Sequence, residues 1–279
     1  MMAQGLTARA LVAGYGDALV LDALDLDVPQ GRITAIVGAN ACGKSTLLRA
    51  LSRLLKPKHG HVLLDGKDIH KIAPRALAQK LGLLPQSPVA PEGITVLDLV
   101  GRGRSPHQGV FTRWTQRDDE AVAAALEATK TVDLANRAVD ELSGGQRQRV
   151  WIAMALAQET DLLLLDEPTT FLDIRHQVEV LDLLHDLNAA RGTTIVMVLH
   201  DLNLAARYCD HLIAMTAGRL HASGTSEAVL TEETVRQVFG IGSRIVSDPV
   251  SGRPMMVPIG RHRVDTTPAQ NEAMEAMGQ

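Results

Sequence analysis

The stretch GANACGKST, from Gly38 to Thr46, constrains the fold more than any other part of the chain. It follows the apolar run RITAIVG and leads into KSTLLRALSRLL, whose apolar residues recur at helical spacing until Pro57 and Gly60. Glycines at 38 and 43 followed by Lys44 and Ser45, between a strand and a helix, are the pattern of a loop that wraps a phosphate group. Backbone N–H groups of Ala39, Asn40, Ala41, Cys42, Gly43 and Thr46 would face inward on an anion, and the helix dipole adds to them. Lys44 supplies a point charge, and the Ser45 hydroxyl suits the Mg²⁺ that accompanies ATP or GTP. Such a loop needs a strand whose carboxyl end faces the ligand, which implies an α/β sheet. Cys42 lies inside the loop, so a thiol reagent is expected to block turnover and MgATP to protect.

The run LLLLDEP supplies the expected partner. Its leucines force a strand into the core, and Asp166 and Glu167 then emerge at the carboxyl edge of the sheet. Asp166 fits the Mg²⁺ shell, and Glu167 can act as general base on a water attacking the γ-phosphate. An Asp-Glu pair at a strand end would by itself be a solvated loop; the phosphate loop upstream is what gives it chemistry. His200 closes TTIVMVLH and repeats that geometry on another strand. Gln86 closes KLGLLPQ, and in isolation it is only a polar residue at a strand end. Tyr15, in VAGYGD, either packs a strand face or offers its ring to adenine.

A second glycine turn occurs at ELSGGQRQRV, where Ser143, Gly144 and Gly145 precede a helix that begins near Gln146. A hydroxyl, bare backbone amides and a helix N-terminus make an anion site, yet there is no lysine in it. The turn is either a helix cap with a flexible lead-in or half of a site begun elsewhere.

The remaining chain reads as a mixed α/β fold. Leu6–Ala13 and Leu21–Val28 are expected strands, and GHVLLDGKDI reads as a hairpin, so an antiparallel β lobe should sit beside a parallel sheet. Residues from about 87 to 150 interrupt the strand series with loops and helices, including an alanine-rich helix over Asp118–Lys130, and form an inserted helical subdomain. The β–α rhythm resumes with a helix over Ile174–Arg191, a helix from Asp201 and the hairpin HLIAMTAGRLHASG. A small appendage of one helix and two strands is expected within about 231–260, and a disordered polar tail over 261–279. No internal repeat is present.

Composition closes off several classes. The net charge of −4 and only 3 Phe, 2 Trp and 2 Tyr argue against nucleic acid as a partner. The two cysteines, Cys42 and Cys209, form no CxxC pair, and the histidines show no metal spacing beyond His59-x-His61, which points to a reducing compartment. No secretory signal or run of ~18 apolar residues is seen, so membrane contact should come through a partner.

In order, GANACGKST, LSGGQRQR, LLLLDEP, FLD and VLHDLN resemble the nucleotide-binding subunits of ABC transporters, over roughly Leu6 to Ile259. The resemblance implies a P-loop NTPase core in a cassette spanning 1–260. It also implies a head-to-tail dimer with a second copy of the ATPase, in which ATP lies between the P-loop of one copy and the LSGGQ helix of the other. Ser143, Gly144, Gly145, Gln146 and Asp173 would then serve the partner's nucleotide. By the same resemblance Tyr15 stacks on adenine, Gln86 senses Mg²⁺ and the permease, and His200 is the γ-phosphate switch. Ala39 and Ala41 depart from the Pro and Gly frequent in that family; both are small, and close phosphate approach should survive.

GRGRSPHQG, QRVWIAMALAQ, EPTTFLDIRHQ and HDLNLAARYCDH look most like the importer branch for ferric siderophores, with haem or vitamin B12 as alternatives. The resemblance places the chain on the cytoplasmic face of the membrane, against integral-membrane permease subunits and, indirectly, a substrate-binding protein. A non-transport cassette acting on DNA or ribosomes is the contrasting class; it typically carries two cassettes, coiled coils or basic surfaces, none of which this sequence has.

Overall fold

A computed structural model describes residues 5–109, 114–170 and 172–260, so the expected disordered tail over 261–279 lies outside the described residues. Strand β1 (Leu6–Tyr15) pairs antiparallel with β2 (Ala18–Asp27). The buried strand β3 (Ile33–Gly38) feeds the glycine loop and helix α1 (Lys44–Leu51). The hairpin β4 (His59–Leu64) and β5 (Lys67–Asp68) joins the first two strands in an antiparallel sheet of order β2-β1-β4-β5. This sheet is the expected lobe. Helix α1 stops before the end of its apolar pattern at Leu55. Arg53 turns left-handed (φ +68°), and its guanidinium donates to the carbonyls of Ile72 at 2.7 Å and His70 at 3.4 Å. A distant carbonyl pair thus overrides local helical spacing.

The chain continues through α2 (Pro74–Ala78), β6 (Leu81–Leu84), α3 (Val96–Gly101), α4 (Gln116–Ala128) and α5 (Gly144–Ala157). Thr115 and Asp118 form a reciprocal capping box that starts α4 ahead of the expected Asp118. Helix α5 runs past residue 150, the expected edge of the insert; Val150, Ile152, Ala153 and Ala157 are all buried, and the helix carries the insert back to the sheet. Arg104 locks that junction. Its buried guanidinium donates to Asp118 Oδ1 at 2.8 Å, to the Ala157 carbonyl at 2.7 Å and to Glu159 Oε2 at 2.8 Å. Arg104 and the Thr115 bonds hold the Asp118 carboxyl down to about 2, outweighing the opposing effect of burial.

The last half brings β7 (Leu162–Leu165), α6 (Ile174–Arg191), β8 (Thr194–Val198), α7 (Leu202–Tyr208), β9 (His211–Thr216) and β10 (Arg219–Gly224). Helices α8 (Ser226–Val229) and α9 (Glu232–Phe239) then lead to the hairpin β11 (Ser243–Ser247) and β12 (Pro254–Pro258). The six-stranded sheet has the order β10-β9-β3-β8-β7-β6, with every pairing parallel except β9–β10. Its strands serve two cores. Ile33, Ala35, Val37, Leu163, Leu165, Ile195 and Met197 face the helical side, whereas Ile36, Leu162, Leu164, Val196 and Val198 face α1 and the antiparallel lobe. Burial on both faces is why these strands are apolar without alternation. The appendage is tied down by Asn203, whose amide bonds both to the N–H of Met256 at 2.7 Å and to its carbonyl at 3.2 Å.

A candidate nucleotide site at the carboxyl edge

Parallel registry decides what meets at one edge. Leu84 pairs with Leu165, Leu165 with Met197, and Val198 with Ile36, so β6, β7, β8 and β3 end side by side. The residues that follow them are Gln86, Asp166, His200 and the glycine loop. Gly38 ends β3 where backbone passes too close for a side chain: a Cβ there would lie 2.4 Å from the Met215 carbonyl oxygen and 2.7 Å from Cys42 Sγ. Gly43 sits at the N-cap of α1 with φ +105°, and no side chain caps this helix. Its first N–H groups therefore lack the internal acceptor most helices carry. Lys44 is buried under the loop and donates from Nζ to the carbonyls of Gly38 and Ala39, both at 2.9 Å.

Two residues of the loop behave differently from what their size suggests. Ala41 adopts φ +61°, a left-handed conformation that costs an L-residue about 1–2 kcal/mol. The Gly frequent at that position in the family relieves strain as well as bulk. Cys42 is buried in the lobe-side core, with its thiol beneath Gly38 and its carbonyl accepting the Gly218 N–H at 3.0 Å. The expected reactive thiol facing the nucleotide is corrected by this burial; only the Cys42 backbone can belong to the cradle.

Ser45 Oγ donates to Asp166 Oδ1 at 3.1 Å, and Asp166 is 4% exposed. Burial pushes this carboxyl above its ordinary range and the neighbouring Glu167 adds to the shift, while the Ser45 bond opposes it. One hydroxyl and one carboxylate oxygen side by side fit Mg²⁺, which takes one or two protein oxygens and completes its shell with phosphates and water. Among the described residues no group of three His, Cys, Asp or Glu could hold a metal ion.

Glu167 is the hub of the edge. Its backbone is left-handed (φ +55°), and its side chain is almost buried. Oε2 accepts from Gln86 Nε2 at 2.7 Å and from Thr170 Oγ1 at 3.0 Å, and Oε1 lies 2.7 Å from His200 Nε2. Burial alone would raise this carboxyl, but the hydrogen bonds from His200, Thr170 and Gln86 outweigh it and hold it below its ordinary value. An ionised carboxylate only accepts, so Nε2 of His200 carries the hydrogen. Gln86 thus meets Glu167, not the Ser45–Asp166 pair.

The other candidates stand apart. Tyr15 is exposed at the end of β1, its hydroxyl accepting from Arg49 Nη1 on α1 at 3.0 Å. Ser143 caps α5 by accepting the Gln146 N–H at 3.3 Å, and Gln146 Oε1 accepts the Ser143 N–H at 3.1 Å. Asp173 caps α6 through the His176 N–H at 2.9 Å. Among the described residues no hydrogen bond or ion pair joins residues 143–146 or Asp173 to residues 38–46. Gly144 has nothing within 4 Å of where a Cβ would stand, so the turn is open to an external group. Thr170, Arg49 and His176 were not singled out from sequence. Thr170 alone had a local signal, standing one turn past Glu167.

The sequence profile of the ABC transporter family matches residues 21–170. A "Probable siderophore transport system ATP-binding protein" of Bacillus subtilis (strain 168) is 54% identical over 258 residues, covering 92% of this chain and 94% of that one. The ferric enterobactin transport ATP-binding protein of Escherichia coli (strain K12) is 52% identical over 256 residues, covering 92% and 94%. Among solved structures, an ATP-binding cassette in a dimeric, post-hydrolysis state bound to ADP and Pi superposes with a TM-score of 0.70 at 27% identity, covering 79% of this chain and 98% of that one. Among the described residues no helix is long and apolar enough to cross a membrane.

Proposed function

The chain belongs to the ABC transporter family, and from that premise we propose that it is the ATP-hydrolysing subunit energising an importer for ferric siderophores. The observation that carries the reading is the convergence of Gln86, Thr170 and His200 on Glu167, beside the Ser45–Asp166 pair. The uncapped N-terminus of α1 and residues 38–46 hold the phosphates of ATP, with Tyr15 against the adenine. Ser45 and Asp166 would hold Mg²⁺, which when bound neutralises phosphate charge, and Gln86 would join them only on leaving Glu167. Lys44 exchanges the carbonyls of Gly38 and Ala39 for phosphate oxygen. His200 has a comparable exchange: its Nε2–H passes from Glu167 to the γ-phosphate. That transfer frees Oε1 of Glu167 to take a proton from the attacking water.

Ser143, Gly144, Gly145, Gln146 and Asp173 are exposed or partly exposed and unconnected to their own P-loop, which supports their serving a second copy in a head-to-tail dimer. On the insert, an apolar groove of about 590 Å³ between α3 and α4 exposes Leu97, Trp114 and Val132. This groove and the segment after Gln86 are the surfaces offered to membrane permease subunits on the cytoplasmic face. A substrate-binding protein joins only through that permease. The siderophore cargo rests on kinship with the two relatives, since no part of this site meets cargo. Growth on a ferric siderophore as sole iron source tests it: deletion should abolish growth, and the wild-type gene but not Lys44→Ala should restore it. Unimpaired growth, with haem or vitamin B12 use lost instead, overturns the cargo assignment.

A further inference from the structure

Two adjacent glycines at 144 and 145 are not there for the same reason. Neither adopts a positive φ, so backbone freedom explains neither of them. Gly144 faces open space, whereas a Cβ on Gly145 would stand 3.2 Å from Cγ, 3.3 Å from Cδ2 and 3.4 Å from Nδ1 of His176. The imidazole of α6 is therefore laid on the backbone of the turn that starts α5. The same ring donates from Nδ1 to Asp173 Oδ1 at 2.8 Å, and the His176 N–H donates to that oxygen at 2.9 Å. A carboxylate cannot donate, so Nδ1 carries the hydrogen and the tautomer is set. These bonds, the backbone one foremost, hold the Asp173 carboxyl below its ordinary range. Asp173 Oδ2 has no bond among the described residues, and the side chain is 66% exposed.

We propose that His176 is a positioning residue that fastens the Ser143–Gln146 turn to Asp173, so that both reach a second copy of the chain as one rigid unit. The proposal rests on the head-to-tail reading above. Gln148 adds a second tie, donating from Nε2 to the Pro168 carbonyl at 2.8 Å on the segment that runs from Glu167 to Asp173. The ring sits between two groups that touch neither the chain's own P-loop nor each other by hydrogen bonds. Its loss should therefore be felt by the nucleotide of the partner.

Mixed dimers of the full chain test this. Both chains carry Glu167→Gln to retain ATP, and one also carries Lys44→Ala, leaving a single competent P-loop. Release of labelled ATP is then timed. His176→Ala on the Lys44→Ala chain, which lends its turn to the surviving site, should speed release about tenfold, the value of one hydrogen bond to a charged group. On the other chain it should change release by less than about twofold, and His176→Asn, which keeps a donor for Asp173, should recover part of the loss. Equal acceleration in both placements, or none in either, overturns the proposal. Ser143→Arg in the same two placements reports on the dimer itself. If it shows no asymmetry the head-to-tail reading fails and the proposal falls with it; if Ser143→Arg is asymmetric and His176→Ala is not, only the role of His176 is lost.

Discussion

The P-loop and the Ser143 turn are both glycine-rich segments opening a helix, yet they are finished differently. Helix α1 has no side-chain cap, its lysine is buried beneath the loop, Gly38 is pressed by the Met215 backbone, and Gly43 by the side chains of Leu21 and Val20. Helix α5 is capped by its own Ser143–Gln146 box, its turn carries no lysine, and Ser143 and Gly144 lie at the surface although the helix is mostly buried from Val150 onward. The first is left incomplete without an anion. In the second, Ser143 Oγ accepts the Gln146 N–H at 3.3 Å while its own hydroxyl hydrogen stays available to donate outward, so the cap and an external acceptor are compatible. The two turns thus differ in whether the helix they open already has a side-chain acceptor at its N-terminus.

The largest effect should come from a group that neither turn supplies. Glu167→Gln keeps shape but removes the base and leaves an acceptor on only one side, so it can retain the bond from Gln86 or from His200 but not both unless a partner reorients. Turnover should fall by about 10²–10⁴-fold while ATP binding survives. The variant should dimerise in MgATP, where isolated wild type remains largely monomeric. Light scattering with a monomeric variant at saturating ATP, or a hydrolysis rate near wild type, would remove Glu167 from its role.

Next in size is the fastening of the insert that carries the second turn. Asp118→Asn removes one of the two carboxylates on the buried Arg104 guanidinium and leaves it Glu159 and the Ala157 carbonyl, which should cost about 1.5–3 kcal/mol of stability at neutral pH, the value of a hydrogen bond between charged groups. Because Asp118 is held down to about 2, the advantage of wild type should be full above the ordinary carboxylate range and disappear as pH falls through about 2. Urea titrations at several pH values read this out; a difference that persists unchanged in acid contradicts the ion-pair account.

The two turns are compared most directly through ATP affinity of the isolated chain. Lys44→Ala should weaken it about 10–100-fold, the loss of a charge-assisted contact. Ser143→Arg should change it less than about twofold, because its turn makes no contact with its own P-loop, while abolishing turnover. Equal weakening by both would erase the distinction between them. The smallest effect is expected at Ala41→Gly, which relieves the left-handed strain and should change stability by about 1 kcal/mol or less, partly offset by added unfolded-state freedom. A thermal melt showing clear destabilisation would deny that strain.

Much of this site was legible because its signals are short in sequence. Strand, glycine turn and helix follow one another within residues 33–51, and LLLLDEP, TTIVMVLH and KLGLLPQ each carry just past the strand the polar residue that the sheet edge then displays. Helix α6 fell on its expected Ile174–Arg191, bounded by Asp173 and Gly192 at its two caps. The early stop of α1 was not legible, since it depends on Arg53 reaching carbonyls at 70 and 72. Nor was it legible that α5 spans the expected edge of the insert near residue 150, which follows from its burial against the sheet.

The sequence by itself determined the element types, the carboxyl edge and the identity of the acids, because spacing and side-chain chemistry are local. Tertiary structure alone decided that Glu167 binds Gln86, Thr170 and His200 together, that the Cys42 thiol turns into the core, and that Gly145 is small for the sake of His176. Strand registry and side-chain packing bring such residues together across tens of positions, and no local periodicity encodes which atoms will meet.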